Sequence, residues 1–149
     1  FYRKLTTAWL KPILDAMITL KKNNIWLEIT NLIIPGKNDN MDEIKKMCNW
    51  IKRNLGKNVP LHFSRFFPCY KMTDLYPTEP KTLEKAKEIA NKAGLKFVYV
   101  GNLITKDGEN TYCPKCKRLL IERSGFSVLR NNLKEGRCEC GEKIPGVWK

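Results

Sequence analysis

The sequence has few histidines, few acidic residues and no long apolar run. It contains one histidine in 149 residues, and its 28 lysines and arginines against 15 acidic residues give a formal net charge of +13. No apolar run approaches the roughly 18 residues of a membrane-spanning helix, and no secretory segment is recognisable. We therefore predict a cytoplasmic protein with no membrane partner. Its basic surface attracts nucleic acid, anionic cofactors or acidic partners without choosing among them.

The six cysteines are not distributed as a disulfide framework, because four of them form two close pairs near the C-terminal end. Cys113 and Cys116 form a CxxC pair, and Cys138 and Cys140 form a CxC pair followed by Gly141. This spacing predicts a zinc ribbon in which the four thiolates bind one ion. The second pair is one residue shorter than a usual knuckle. An iron-bearing site, two disulfides and an empty site therefore remain as alternatives.

A zinc ion with four thiolate ligands has no open coordination position, so the predicted role of this site is structural. The other two cysteines have different surroundings. Cys48 lies on the apolar face of a predicted helix that begins after Asn40, with Glu43 as the partner in a capping box. We predict that Cys48 is a buried core thiol. Cys69 lies in a loop rich in proline and aromatic residues, and its role is left open.

The hydrophobic pattern predicts helices and strands in alternation, with strands at 25–34, 61–67 and 96–100. Thr82 is the predicted N-cap of the third helix. This order predicts an α/β fold with a parallel sheet over residues 1–102, followed by a linker and the zinc ribbon over 103–149. Three strands alone leave bare sheet edges. We therefore expect part of a larger sheet or barrel, and self-association through the edge at 25–34.

Polar residues alternate with apolar ones on the first two predicted strands. Glu28 and Thr30 share one face of the first strand, and His62 and Ser64 share one face of the second. A strand that is buried on both faces is apolar throughout. The pattern therefore indicates either a solvated edge strand or a strand whose second face lines a polar cavity.

Several segments, in order, resemble one enzyme family across nearly the whole chain. They are 1–6 (FYRKLT), 26–39 (WLEITNLIIPGKND), 62–66 (HFSRF), 70–72 (YKM), 99–102 (YVGN) and 109–114 (ENTYCP). Together they resemble the C-terminal half of the AmmeMemoRadiSam-system radical SAM enzymes, which are similar to the pyruvate formate-lyase activating enzyme. Because the first residue is phenylalanine and not methionine, we expect the chain to be a piece of a longer protein.

The resemblance implies the C-terminal half of a partial (β/α)6 barrel, TIM-like in form, that binds S-adenosylmethionine and a [4Fe-4S] cluster. In such oxidoreductases the reduced cluster cleaves S-adenosylmethionine, and the 5′-deoxyadenosyl radical abstracts hydrogen from a substrate, which is unknown here and could be a protein. The cluster is carried by a CxxxCxxC loop that this sequence lacks. By itself the chain is therefore expected to be inactive, and the resemblance assigns it no catalytic residue.

In a barrel, the polar face of these strands would be the lumen, and cofactor and substrate gather toward the carboxyl ends of the strands, near Asn31 and Arg65. The residues predicted as cofactor or substrate contacts are Glu28, Thr30, Asn31, His62, Ser64 and Arg65. A second hypothesis is a basic zinc-ribbon module that binds nucleic acid or a protein partner. The basic residues are spread along the chain and most aromatic residues occupy strand positions, so the sequence disfavours nucleic acid without eliminating it.

Overall fold

The computed structural model describes residues 1–103 and 108–148. Residues 104–107 of the predicted linker and residue 149 lie outside these ranges. The described helices, apart from a wide helical turn at Tyr2–Thr6, are α1 (Leu10–Lys22), α2 (Met41–Asn54) and α3 (Pro80–Ala93). The described strands are β1 (Ile29–Ile33), β2 (Leu61–Arg65), β3 (Val98–Gly101), β4 (Thr111–Tyr112), β5 (Leu119–Ser124) and β6 (Ser127–Asn131).

The first half is a small parallel sheet with strand order β1-β2-β3. The predicted α/β alternation is therefore confirmed for this part. The described strands do not close into a barrel, so the structure provides an open three-stranded sheet and nothing larger. Strand β1 begins at Ile29 and is therefore shorter than predicted. Ile25 and Trp26, which the prediction included, precede it and are 52% and 40% exposed. Self-association through the β1 edge stays a prediction.

The helix boundaries follow from local chemistry. At the start of α2, Asn40 Oδ1 accepts hydrogen bonds from the backbone N–H groups of Asp42 and Glu43, as the predicted cap requires. The Glu43 carboxylate pairs with Lys46 at 2.7 Å instead of completing a capping box. The prediction of Thr82 as the N-cap of α3 is wrong. Pro80 is the first residue of that helix, where its missing N–H leaves no bond unmade.

The main core lies between the parallel sheet and the helices α2 and α3. Cys48 is fully buried in it, as predicted, and burial raises the pKa of its thiol to about 11. The buried residues of this core are Ile33, Ile44, Cys48, Ile51, Leu55, Val59, Leu61, Phe63, Leu83, Ala86, Ala90, Leu95, Val98 and Val100. The opposite face of the sheet is not covered by helices in the described chain, and it carries the polar residues.

The second half is an antiparallel sheet with strand order β4-β5-β6. Its small core contains Cys113 and Cys138, and Phe97 and Tyr99 from the β3 segment pack into the same cluster. The ribbon therefore lies against the third strand of the parallel sheet. None of the helices in the described part of the chain is long and apolar enough to cross a membrane.

Candidate metal centre and adjoining cleft

The four paired cysteines come together at one point, as the sequence predicts. Their Sγ atoms all lie within 4.8 Å of one another. The Cys113–Cys140 and Cys116–Cys138 sulfur pairs are both 3.6 Å apart. Four sulfurs about 2.3 Å from a central ion lie roughly 3.8 Å apart at the corners of a tetrahedron. The donor set and its spacing therefore fit one tetrahedral ion such as zinc.

The local backbone favours thiolates at this site. A hydrogen bond from the backbone of Arg118, together with smaller contributions from the three neighbouring thiols, lowers the pKa of Cys116 to about 7. The backbone N–H of Cys140 likewise acts to lower the pKa of Cys138, but desolvation and the neighbouring sulfurs outweigh it and raise that pKa to about 12. Sulfurs packed this closely cannot all ionise unless a cation compensates them. The arrangement therefore suits a bound metal ion better than four free thiols.

The shorter spacing of the second pair is accommodated by a tight turn. Gly141 has a φ of +85°, and its N–H donates to the Cys138 carbonyl at 2.8 Å. A residue with a side chain is strained in this left-handed conformation. The alternative of two disulfides does not match the structure, because sulfurs 3.6 Å apart are well beyond the ~2.05 Å of a disulfide bond. None of the six cysteines forms a disulfide.

Beside the metal centre, a cleft of about 1010 Å³ separates the polar face of the parallel sheet from the ribbon. Three residues aligned across the sheet, Thr30, His62 and Tyr99, form one row of its floor. Glu28 and Ser64 lie along the same face. The structure combines the two sequence-based alternatives: β1 is an edge strand at whose start Glu28 and Thr30 are exposed, and the same polar face lines an open cleft beside the ribbon.

A hydrogen-bonded pair occupies the floor of the cleft. His62 Nε2 lies 2.8 Å from Glu28 Oε2, and Trp26 Nε1 donates to Glu28 Oε1 at 3.0 Å. The imidazole also stacks on the Tyr99 ring, with centroids 4.9 Å apart and planes inclined by 24°. The two strands therefore bring Glu28 and His62 together although they are 34 positions apart.

The Tyr99 ring is in turn held by the ribbon. Tyr99 Oη lies 3.0 Å from Thr111 Oγ1, and Arg123 Nη1 donates to Thr111 Oγ1 at 2.8 Å. Burial is the largest effect on the Tyr99 phenol, and it raises the pKa of that group. Sequence reasoning did not identify Tyr99, Thr111 or Arg123 as cleft residues. Tyr99 lies in the YVGN segment, but no local pattern links it to residues of the ribbon.

Arg65 lies at the rim of the cleft, at the carboxyl end of β2. Its Nε donates to the Thr78 carbonyl at 2.8 Å, and its guanidinium lies 4.8 Å from the centre of the Phe67 ring. Thr78 is itself buried and donates to the Ile33 carbonyl at 2.5 Å. Asn102 Nδ2 donates to Ser64 Oγ at 3.0 Å. The loop before α3 therefore holds Arg65 at the edge where parallel sheets bind ligands.

Asn31 differs from the other five predicted contacts, because it does not line the cleft. It pairs in register with Phe63, which faces the helices, and so it lies on the core side of β1. Its Oδ1 atom is buried and has no hydrogen-bond partner in the described structure. The alternation of a strand places neighbouring residues on opposite faces, so Thr30 and Asn31 cannot both face the cleft.

Comparison with known proteins finds a relative whose name states no activity. No family profile matches the chain. The chain is 48% identical over 147 residues to a protein of Methanocaldococcus jannaschii that carries the name "Uncharacterized protein MJ0808". The alignment covers 97% of this chain but 44% of the archaeal protein. The chain therefore spans less than half the length of that relative.

Proposed function

We propose that this chain forms the cofactor-binding wall of a radical S-adenosylmethionine oxidoreductase, and that its ribbon carries a structural zinc ion. The observation that carries the proposal is the row of polar residues on one face of a parallel sheet, enclosed as a cleft. Glu28, Thr30, His62 and Ser64 lie on this face, and Arg65 lines the rim of the cleft. In barrels of parallel strands, cofactor and substrate bind toward the carboxyl ends of the strands, where Ser64 and Arg65 lie.

The cleft residues fit S-adenosylmethionine chemically. The Glu28 carboxylate is suited to an ammonium or a ribose hydroxyl group, and the Arg65 guanidinium is suited to a carboxylate. Trp26 and Phe67, which are 40% and 49% exposed, offer flat apolar surface to an adenine ring. When bound, this cofactor supplies the carbon radical that abstracts hydrogen. The role of these side chains is to bind it, orient it and exclude water.

The iron–sulfur cluster does not fit the cysteines of this chain. The four sulfurs of the ribbon are spaced for one ion, whereas a cubane cluster holds its cysteine sulfurs much farther apart. Cys48 is buried in the core between sheet and helices, and Cys69 is exposed in a loop. We therefore assign no cluster to these residues. In the proposal the cluster belongs to another part of a longer protein, which accords with the greater length of the archaeal relative.

The proposal is tested first by binding. Titration of the metal-loaded chain with S-adenosylmethionine is followed by calorimetry, with S-adenosylhomocysteine and ATP as competing ligands. We expect a dissociation constant near 0.1 mM, about −5.5 kcal/mol, because the cluster that helps to anchor the cofactor is not supplied. Replacing Glu28→Gln or Arg65→Gln removes one charged contact and weakens binding about tenfold.

Matched controls are Glu84→Gln and Arg53→Gln, which change the same charges at exposed helix positions away from the cleft. Neither control variant is expected to alter the affinity. If S-adenosylmethionine binds no more tightly than ATP, or if the cleft and control variants behave alike, the proposed cofactor site is wrong.

A second experiment tests the reaction class. The full-length archaeal relative, reconstituted with iron and sulfide and then reduced, should release 5′-deoxyadenosine. Its absence would remove the radical chemistry from the proposal.

A second candidate is a basic module that binds single-stranded nucleic acid. It is favoured by Phe126, whose side chain is fully exposed at the tip of the β5–β6 hairpin beside the exposed Val128 and Leu129. Exposed aromatic rings on a basic protein can stack with bases. Fluorescence anisotropy with a labelled oligonucleotide at two salt concentrations tests it. Tight, steeply salt-dependent binding that Phe126→Ser abolishes would favour this candidate over the enzyme.

A further inference from the structure

Tyr99 contacts both the ribbon core and the floor of the cleft. Its side chain packs against the apolar cluster that includes the ligands Cys113 and Cys138. The same ring stacks on the imidazole of His62. One side chain therefore joins the four-cysteine site to the residue at the centre of the polar row.

The orientation of the Tyr99 ring depends on the ribbon strands β4 and β5. Its hydroxyl bonds to Thr111, the first residue of β4 and two positions before Cys113. Arg123 of β5 donates to the same Thr111 hydroxyl oxygen and to the Glu109 carbonyl at 3.1 Å. If β4 and β5 lose their arrangement, the Tyr99 hydroxyl loses this partner.

The strands of the ribbon in turn depend on the four cysteines. The ribbon contributes few buried apolar residues of its own, and two of them are Cys113 and Cys138. Strand β6 is exposed along its whole length. Segments of this size do not bury enough apolar surface to fold alone, and the free energy of metal binding then becomes free energy of folding.

We propose that the metal ion of the ribbon sets the orientation of His62 in the cleft, with Tyr99 as the positioning residue between them. Without the ion, β4 no longer holds the Tyr99 hydroxyl, and the ring is no longer fixed against the imidazole. His62 then keeps its bond to Glu28 alone. The metal ion thus affects the cleft without contacting a molecule bound there. This inference depends on the proposed function only where the affinity for S-adenosylmethionine is measured.

His62 is the only histidine of the chain, so its imidazole signals in a proton–nitrogen NMR spectrum are assigned without ambiguity. The metal-free protein is titrated with Zn²⁺, and a parallel titration with Co²⁺ reports tetrahedral thiolate coordination through its visible absorption. We expect the His62 ring signals to shift until one equivalent of metal is bound and to return when a chelator is added. Unchanged His62 signals, together with a complete cobalt spectrum, would overturn the proposal.

Replacement of Tyr99→Leu separates positioning from general stability, because it removes the stacked ring and keeps apolar volume in the ribbon core. We expect this variant to bind Co²⁺ with an affinity within about twofold of the original and to lose the metal-dependent shift of His62. Tyr99→Phe keeps the ring and loses the hydroxyl, so it should retain a smaller shift. A full shift in Tyr99→Leu would show that the metal acts through other contacts and would contradict the proposal.

If Tyr99→Leu fails to bind cobalt, Thr111→Val provides the decisive variant, because it leaves the Tyr99 ring in place and removes the hydroxyl that Tyr99 and Arg123 share. Arg123 keeps its bond to the Glu109 carbonyl. A metal-dependent shift of full size in that variant would contradict the proposal, and a reduced shift would support it.

The last experiment measures the affinity for S-adenosylmethionine with and without the metal. Metal removal should weaken S-adenosylmethionine binding about tenfold. If that cofactor binds neither form, the proposed function fails, while the His62 shift still decides the role of Tyr99.

Discussion

The two sheets of this protein are stabilised in different ways. In the parallel sheet, Ile33, Leu61 and Phe63 are fully buried against α2 and α3, and the stabilisation is distributed over many apolar contacts. In the ribbon, β6 is fully exposed, and the small core is built around the cysteines and Phe97 from the neighbouring sheet. Substitutions of similar size should therefore have graded effects on the stability of the parallel sheet and an all-or-none effect on the ribbon.

The largest expected effect is loss of the ribbon when one ligand is removed. Cys113→Ser weakens a metal site whose binding contributes about 10 kcal/mol in comparable small domains. Hydrogen exchange, measured by mass spectrometry on peptides from each region, should show that β4, β5 and β6 lose protection. The strands β1 and β2 should keep theirs, because Leu61 and Phe63 are buried by helices and not by the ribbon.

The matched control is Cys69→Ser, which changes an exposed cysteine outside the four-cysteine cluster. It should leave the protection of both sheets unchanged. If Cys113→Ser instead destabilises β1 and β2 as much as the ribbon, the two regions unfold as one unit and are not stabilised separately.

Patterns within short stretches of sequence predicted much of both regions. The apolar periodicity of α2, the cap at Asn40 and the CxxC and CxC spacings each depend on residues a few positions apart, and each is confirmed. Errors occurred where two local signals compete. Thr82 is a good N-cap residue, but Pro80 is better suited to the first position of a helix, and α3 begins there.

The next largest effect is expected in the core of the parallel sheet. Phe63→Ala removes a fully buried ring between β2 and the helices, and it should lower the free energy of unfolding by about 3–5 kcal/mol. Guanidinium unfolding followed by circular dichroism measures this loss. Cobalt affinity should not change in the folded variant, because Phe63 does not belong to the ribbon core.

The control for that variant is Phe67→Ala, since Phe67 is 49% exposed at the rim of the cleft. It should cost well under half as much, because a half-exposed ring loses little burial when it is truncated. Equal losses for the two variants would mean that stability is not concentrated in the helix-covered face of the sheet.

Contacts between distant segments could not be predicted from the sequence. The link from Tyr99 to Thr111 and Arg123 joins two sheets, and no periodicity within either segment encodes it. The position of Asn31 likewise depends on a neighbouring strand that the local sequence does not reveal. Its position near the end of a strand suggested a ligand contact, but the register with Phe63 places it on the core side. Which face a polar strand residue occupies depends on the neighbouring strand.

A smaller effect on stability should come from ionisation of the buried Cys48 thiol at high pH. Burial raises the pKa of Cys48 to about 11 from its ordinary value near 9. Its contribution to stability is therefore complete below about pH 9 and is lost as the pH rises toward 11, because the unfolded thiol ionises first. Denaturant unfolding at several pH values should show that the variant Cys48→Ala loses less stability over this interval than the original protein.

The same thiol should be chemically protected. In the metal-loaded protein, a thiol-specific reagent such as dithionitrobenzoate should modify Cys69 rapidly and Cys48 only upon unfolding, because Cys48 is buried and its thiol is neutral at neutral pH. Rapid modification of Cys48 in the folded protein would indicate that the parallel-sheet core opens as readily as the ribbon, and it would weaken the contrast between them.

The smallest expected effect concerns the start of α2. Asn40→Ala removes the side-chain oxygen that accepts from Asp42 and Glu43, and it should lower the free energy of unfolding by about 1 kcal/mol. Asn49→Ala, at an exposed position within the same helix, should not lower the free energy of unfolding, because alanine is the better helix former. Since α2 covers the parallel sheet and not the ribbon, the loss should appear in denaturant unfolding without any change in cobalt affinity. A change in cobalt affinity would show that the two regions are coupled through contacts other than Tyr99.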